Sequence, residues 1–199
     1  MLKMQKIKSL NGQNKHHLMK ILNTHIEDLR IIQSEYLQDN RGLFSRFFCA
    51  KELESILNGR KIAQINYSLT YNLGAIRGMH YQNKPYSEIK IIRCLKGRVY
   101  DVAVDLRKSS PTFLKWHSIE LTPESNQMYL IPEGFAHGFQ VLEEGSQLLY
   151  LHTEFYSHEF EGAVRFDDPK INISWPLKAT NLSEKDKIHP YINEKFKGL

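Results

Sequence analysis

The sequence predicts an all-β protein, and a jelly roll is the all-β architecture that it fits best. Short apolar or alternating runs recur at spacings of about 8–12 residues, which is typical of a sandwich or barrel. Turn residues such as Gly, Pro, Asn and Ser separate these runs. Helix signals are scarce, so we expect only a few short helices.

The run at 64–70 is the clearest strand. Gln64, Asn66 and Ser68 share one face, and Ile65 and Tyr67 share the other. Such a strand buries its apolar face, while its polar face meets either water or a polar cavity. Six later segments are predicted as strands: 90–95, 98–106, 113–121, 126–131, 138–142 and 147–153.

An unusual group of residues, "RGMHYQ" at 77–82, follows the first strand. A regular strand would aim Arg77 and His80 at opposite faces, because they are an odd number of residues apart. A bulge or bend at Gly78 would bring both side chains to one site. We therefore predict an irregular strand here.

The two helix signals lie at 50–57 and 183–187. The first segment is amphipathic and ends at the turn pair Asn58 and Gly59. In the second, Ser183 has the position of an N-cap, and Asp186 follows three residues later.

Length and charge bound the organisation of the chain. Its 199 residues suit one domain with an appendage. Residues 1–22 hold five lysines and no acidic residue, so we predict a basic N-terminal extension over 1–22 and a single domain over 23–199. The net charge of +5 has no recognisable basic face, so it could equally serve an anionic small molecule such as a diphosphate, and we predict no nucleic-acid partner.

The composition predicts a cytoplasmic protein with no membrane partner. No apolar run approaches the roughly 18 residues of a membrane helix, and no secretory signal is recognisable. Cys49 and Cys94 are the only cysteines and lie far apart, so we expect reduced core thiols.

Four ionisable residues fall within or beside apolar strand segments: Lys90, Asp101, His137 and Tyr150. Each has a structural interpretation, such as an edge lysine, an aspartate paired with Arg98, or a core histidine or tyrosine with one hydrogen bond. Buried ionisable groups are costly unless paired, so several of them converging in one barrel indicate a functional site.

A metal site is not favoured. Metal-binding jelly rolls usually carry two histidines two residues apart, but Tyr81 and Gln82 follow His80 here. His80 and His137 with Gln82 would be a set poor in strong ligands. We predict no metal.

Six motifs occur along the chain in this order: "RGMHYQ" (77–82), "GRVYDVAVDLRKSSPTF" (97–113), "IPEGFAHGFQVL" (131–142), "DDP" (167–169), "WPL" (175–177) and "SEKD" (183–186). Together they resemble the dTDP-4-dehydrorhamnose 3,5-epimerase family of nucleotide-sugar epimerases. The resemblance runs from about residue 24 to 190. It implies a cupin-type jelly roll, a homodimer, and an epimerase that acts without metal or other cofactor on C3, C5 or both of a nucleotide-linked 4-keto-6-deoxy sugar.

The resemblance also implies roles for individual residues. His80 matches the catalytic base, Asp186 the acid that orients it, and Tyr150 the general acid on the opposite face of the sugar. Lys90 would stabilise the oxyanion at the ketone. The implied substrate-binding residues are Arg77 and His137 at the sugar and phosphates, Asp101 as an inward-facing acid, Gln64 and Asn66 near the nucleotide, Arg41 at the diphosphate, and Phe155.

Two departures from the family pattern leave the substrate open. Arg46 replaces a glutamate beside the nucleobase, which allows a GDP-, CDP- or UDP-sugar. Phe155 replaces a tyrosine that packs on the sugar, so the inverted carbon is open. A non-catalytic nucleotide-sugar-binding cupin and a metal-dependent cupin oxygenase or isomerase are the rival hypotheses.

Overall fold

The computed structural model describes residues 18–199, which form thirteen strands and two short helices. The strands are β1 (Met19–Asn23), β2 (Arg30–Ser34), β3 (Tyr36–Asp39), β4 (Gly42–Ser45), β5 (Gln64–Thr70), β6 (Ile76–Gln82), β7 (Lys90–Lys96), β8 (Val99–Asp105), β9 (Trp116–Leu121), β10 (Gln127–Ile131), β11 (Phe135–Val141), β12 (Ser146–His152) and β13 (Glu161–Ala163). The helices are α1 (Glu54–Leu57) and α2 (Glu184–Ile188). Neither helix is long enough to cross a bilayer.

Two antiparallel sheets make up the barrel. One has six strands in the order β1-β2-β10-β7-β12-β5, and the other has five in the order β13-β6-β11-β8-β9. Strands β3 and β4 form a separate hairpin. The non-sequential order of long-range antiparallel pairs is that of a jelly roll, so the predicted all-β, cupin-type fold is confirmed.

Three apolar clusters surround this framework. The central cluster lies between the sheets, with Ile92 and Leu148 from one sheet packed against Val141 and Phe139 from the other. A second cluster covers the outer face of the six-stranded sheet, where Leu57 of α1 packs. A third covers the outer face of the five-stranded sheet with residues from the C-terminal segment, including Ile171, Ile192, Trp175 and Phe196.

The predicted strands agree with the observed ones apart from their ends. The run at 64–70 is β5 with the same bounds. The run predicted to begin at Gly138 begins at Phe135 instead, because residues 135–137 pair with Asp105, Val104 and Ala103 of β8. The predicted domain boundary falls inside β1, which pairs with β2 over Met19–Asn23. Residues 1–17 of the predicted extension lie outside the described residues.

Strand β6 is irregular at Gly78, as predicted. Arg77 pairs with Phe139 and His80 pairs with His137, so β6 holds one more residue between these pairs than β11 does. Gly78 has a φ of +136°, and a Cβ there would lie 2.5 Å from the Cα of Gly138. Only glycine fits such a close approach of two backbones. The irregularity lets Arg77 and His80 line the same cavity.

Candidate active site

A cavity of about 320 Å³ opens between the two sheets. Strands β6 and β11 of the five-stranded sheet supply Arg77, His80 and His137, while the six-stranded sheet supplies residues of β5, β7 and β12. The lining residues are Asn66, Tyr67, Ser68, Arg77, His80, Tyr81, Gln82, Glu88, Lys90, His137, Phe139, Tyr150, His152, Tyr156 and Glu161. Polar side chains from both sheets therefore converge on one open cavity.

A buried carboxylate contacts the His80 imidazole and fixes its orientation. Its Nε2 lies 2.7 Å from Oδ1 of Asp186, whose side chain is 5% exposed. The N-cap of α2 places this carboxylate, because Ser183 Oγ accepts a hydrogen bond from the Asp186 amide at 3.0 Å. Burial alone would raise the pKa of Asp186, but the hydrogen bond and charge of His80 lower it below its usual value. The ionised carboxylate accepts a hydrogen bond from the Nε2–H group of His80. This leaves the lone pair on Nδ1, which can act as a base.

Tyr150 faces the same cavity from the opposite sheet. It lies on β12, whereas His80 lies on β6, and one cavity joins them. Burial away from water raises the pKa of the Tyr150 phenol, and the charge of Asp101 raises it further. The phenol therefore keeps its proton at neutral pH and can donate it to a carbanion.

His137 forms a second imidazole–carboxylate pair. Its Nε2 lies 2.8 Å from Oδ1 of Asp101, which is fully buried. Burial raises the pKa of Asp101, and His137 opposes that shift. Asp101 thus pairs with His137, whereas Arg98 contacts Glu120. His137 is also the cross-strand partner of His80, so the two imidazoles stand side by side on one wall.

Glu88 and His152 are cavity residues that the sequence reasoning missed. The two oxygens of Glu88 contact His152 Nδ1 at 2.7 Å and Lys90 Nζ at 3.3 Å. Burial alone would raise the pKa of Glu88, but His152 and Lys90 lower it below its usual value. Glu88 therefore stays charged and holds the Lys90 ammonium in place. Strand β7 lies between β10 and β12, so Lys90 is not an edge lysine.

The remaining predicted ligands lie at different distances from the cavity. Asn66 and Arg77 line it, and Gln64 lies beside it, accepting a hydrogen bond from the Tyr156 amide at 3.0 Å. Arg41 lies outside the cavity of its own chain, on the β3–β4 turn, where it pairs with Asp39 at 2.6 Å.

The two departures from the family pattern have clear positions. Phe155 is 62% exposed and does not line the cavity. Its neighbour Tyr156 does, and the Tyr156 hydroxyl donates a hydrogen bond to Glu161 at 2.9 Å. Arg46 forms an ion pair with Glu52 of its own chain. An aromatic ring with a hydroxyl is thus retained at the cavity wall.

Another cavity, of about 350 Å³, lies elsewhere, and it is less suited to an anionic ligand. It contains three arginines, but Arg60 contacts Glu133 at 2.5 Å and Arg107 contacts Asp28 at 2.8 Å. The third, Arg30, lies 3.8 Å from Asp28. Their charges are already compensated by carboxylates.

One group of side chains in the described part of the chain has the composition of a metal site. His80, Asp186 and His189 place their ligand atoms within 4.8 Å of one another. The set considered from the sequence, His80 and His137 with Gln82, is different.

Comparison with known proteins gives a consistent result. The family model described as dTDP-4-dehydrorhamnose 3,5-epimerase matches residues 23–194. A dTDP-4-dehydrorhamnose 3,5-epimerase of Shigella flexneri is 43% identical over 170 residues, which is 84% of this chain and 93% of the relative.

Two solved structures are similar over most of their length. The dTDP-4-dehydrorhamnose 3,5-epimerase of Elizabethkingia anophelis NUHP1 has a TM-score of 0.85 and 38% identity, covering 90% of this chain and 100% of that one. The dTDP-6-deoxy-D-glucose-3,5-epimerase of Legionella pneumophila Philadelphia 1, in complex with dTDP-4-keto-L-rhamnose, has a TM-score of 0.82 and 39% identity, covering 87% and 92%.

Proposed function

Since the chain belongs to the dTDP-4-dehydrorhamnose 3,5-epimerase family, we propose that it inverts C3 and C5 of a dTDP-linked 4-keto-6-deoxy sugar with His80 and Tyr150 as its proton-transfer pair. The chain is an isomerase of deoxysugar biosynthesis. The observation that carries the proposal is that an imidazole and a phenol face one cavity from opposite sheets. A non-catalytic binding protein would not need that arrangement.

The chemistry of the sugar explains the residue types. A ketone at C4 acidifies the hydrogens on both neighbouring carbons, C3 and C5. Nδ1 of His80 takes one of these protons, and Asp186 stabilises the imidazolium that forms. The electron pair moves onto the ketone oxygen as an enolate, where the Lys90 ammonium stabilises the charge. Tyr150 then protonates the carbon from the other face, which inverts it, and the phenolate recovers a proton from solvent.

The other cavity residues bind and orient the substrate in this proposal. Arg77 carries a permanent positive charge, which suits the diphosphate. Asp101 holds His137 in position against the sugar, and Glu88 holds Lys90. Each proton-transfer group is expected to contribute about 10²–10⁴ in rate.

Incubation in heavy water with a panel of nucleotide sugars tests the proposal. We expect deuterium at C3 and C5 of a dTDP-linked 4-keto-6-deoxy sugar, with inversion, because each inverted carbon receives a proton that has exchanged with solvent. GDP-, CDP- and UDP-linked sugars are the comparison, since Arg46 stands where the family has a glutamate. Binding without exchange on every sugar of the panel would contradict catalysis and favour a binding protein.

The homodimer predicted from the resemblance is part of the proposal. The β3–β4 hairpin exposes Leu37, Leu43 and Phe44, each at least 60%, and apolar patches of this kind mark interaction surfaces. If the hairpin of one chain reaches the cavity of its partner, Arg41 can bind the diphosphate there. The cytoplasmic location also remains a prediction.

Mixed dimers test this arrangement. An Arg41→Ala chain and a His80→Asn chain are each expected to be nearly inactive. Co-assembled, they should regain activity, because one of the two sites then combines an intact His80 with an intact Arg41 from the other chain. Light scattering would establish the dimer. Mixed dimers that stay as inactive as either parent would contradict the arrangement.

A further inference from the structure

A second histidine lies against the carboxylate that supports His80. His189 Nε2 is 3.4 Å from Oδ1 of Asp186, the same oxygen that His80 Nε2 contacts at 2.7 Å. The two imidazole rings meet edge to face, with centroids 5.8 Å apart. His189 does not line the sugar cavity, so it lies behind the proposed catalytic pair.

We propose that His80, Asp186 and His189 form a Zn²⁺ site whose occupation inhibits the enzyme. Two imidazole nitrogens and one carboxylate oxygen are a ligand set that zinc favours, and three protein ligands leave a fourth position for water. The binding half of the proposal stands on this cluster alone. The inhibition half rests on the proposed role of His80 as the base.

The ligand atoms lie close enough for zinc to bind after small side-chain movements, since all three are within 4.8 Å of one another. With bonds of about 2.0–2.1 Å in a tetrahedral site, neighbouring ligand atoms lie about 3.4 Å apart. His189 Nε2 and Asp186 Oδ1 already have that separation. The His80–Asp186 contact is a hydrogen bond at 2.7 Å, so it needs to lengthen by about 0.7 Å when the metal replaces its proton.

The state of His189 Nε2 is a second observation in favour of a ligand. This atom is shielded from solvent and makes no hydrogen bond of regular geometry among residues 18–199, since its contact with Asp186 Oδ1 is long at 3.4 Å. Buried polar atoms in native proteins are nearly always satisfied. A metal ion between His189 and Asp186 would satisfy it.

The charges around the cluster do not oppose a cation. Lys185, on the same helix, pairs with Glu161 of β13. Arg165 pairs with Asp167 at 2.7 Å. Asp186 also borders a cavity of about 450 Å³ that it shares with Ser183 and Leu69, so the cluster lies close to solvent-filled space.

Occupation of this site would disable the base by changing its tautomer. In the metal-free pair, Nε2 of His80 carries the proton and Nδ1 carries the lone pair. Zinc on Nε2 requires a lone pair there, so the single proton of the neutral ring moves to Nδ1. The atom that should accept the sugar's proton is then already protonated.

The test compares the wild-type chain with His189→Asn and with His158→Asn, an exposed histidine used as a matched control. Zn²⁺ binding is measured by calorimetry without substrate, and epimerisation is measured across a Zn²⁺ titration. All three chains keep the His16–His17 pair, so binding there cancels in the comparison. The His80→Asn variant removes another of the proposed ligands, and for this variant only Zn²⁺ binding is measured.

We expect the wild type and His158→Asn to bind one more Zn²⁺ than His189→Asn, or to bind it about 100-fold more tightly. Both should lose activity as this site fills, while His189→Asn keeps its activity. Equal binding and equal inhibition in all chains would overturn the proposal. Extra binding in the wild type without inhibition would overturn the inhibition half of the proposal, together with the assigned role of His80, and would leave the metal site itself standing.

Discussion

Replacing His80 with asparagine is expected to lower kcat by about 10²–10⁴-fold, with little change in substrate affinity. Asparagine keeps a polar side chain of similar size facing Asp186 but cannot accept a proton from carbon. Deuterium incorporation at C3 and C5 should fall by the same factor, because proton removal precedes every later step. Stopped-flow binding of the nucleotide sugar and exchange measured by NMR separate the two effects.

An Asp186→Asn variant is the companion measurement. Its amide oxygen can still accept the Nε2 hydrogen bond, but it lacks the charge that stabilises the imidazolium. We expect a smaller loss of kcat than in His80→Asn, with binding again retained. Normal exchange in His80→Asn would show that another group removes the proton.

Replacing Tyr150 with phenylalanine is expected to reduce formation of inverted product by about 10²–10⁴-fold while leaving proton removal by His80 possible. The ring and its packing against His137 remain, so the cavity keeps its shape. In heavy water the substrate should then gain deuterium with its original configuration, because His80 returns a solvent-derived proton to the face from which it took one.

Tyr156→Phe is the matched control for this variant, since it also removes one phenol from the cavity wall. The Tyr156 hydroxyl is bonded to Glu161, so its loss should leave inversion within about tenfold of the wild type. An inversion rate in Tyr150→Phe close to that of the wild type would contradict the assignment of the acid.

The alternation of polar and apolar residues within single strands made much of this fold predictable. The period of two at 64–70 gave β5 its bounds, and the odd spacing of Arg77 and His80 required the irregularity found at Gly78. Strand ends were less predictable, because pairing with a neighbour sets them. The start of β11 at Phe135 depends on β8, which no local pattern reveals.

The candidate site was predictable only where motifs carried it. Glu88 lies two residues from Lys90, and His152 lies two residues from Tyr150. Because faces alternate along an extended chain, each could have been predicted to share a face with its neighbouring site residue. That they meet depends on the register of β7 and β12, which pairs His152 with Lys90 and so brings it beside Glu88, two residues before β7 begins at Lys90. The position of Arg41 was not predictable for a related reason, since nothing in its local sequence tells where a projecting hairpin points.

The contact between Gly78 and Gly138 has a consequence for redesigning the substrate range. A methyl group fits at neither position, because a Cβ on Gly138 would meet the backbone oxygen of Arg77 at 2.8 Å and one on Gly78 would meet the backbone of Gly138 at 2.5 Å. Library design should therefore keep these two glycines constant and diversify the rim of the cavity, where Tyr156 is 57% exposed. Changes at the rim would admit a bulkier sugar, while the Gly78–Gly138 contact keeps His80 in the position that proton removal requires.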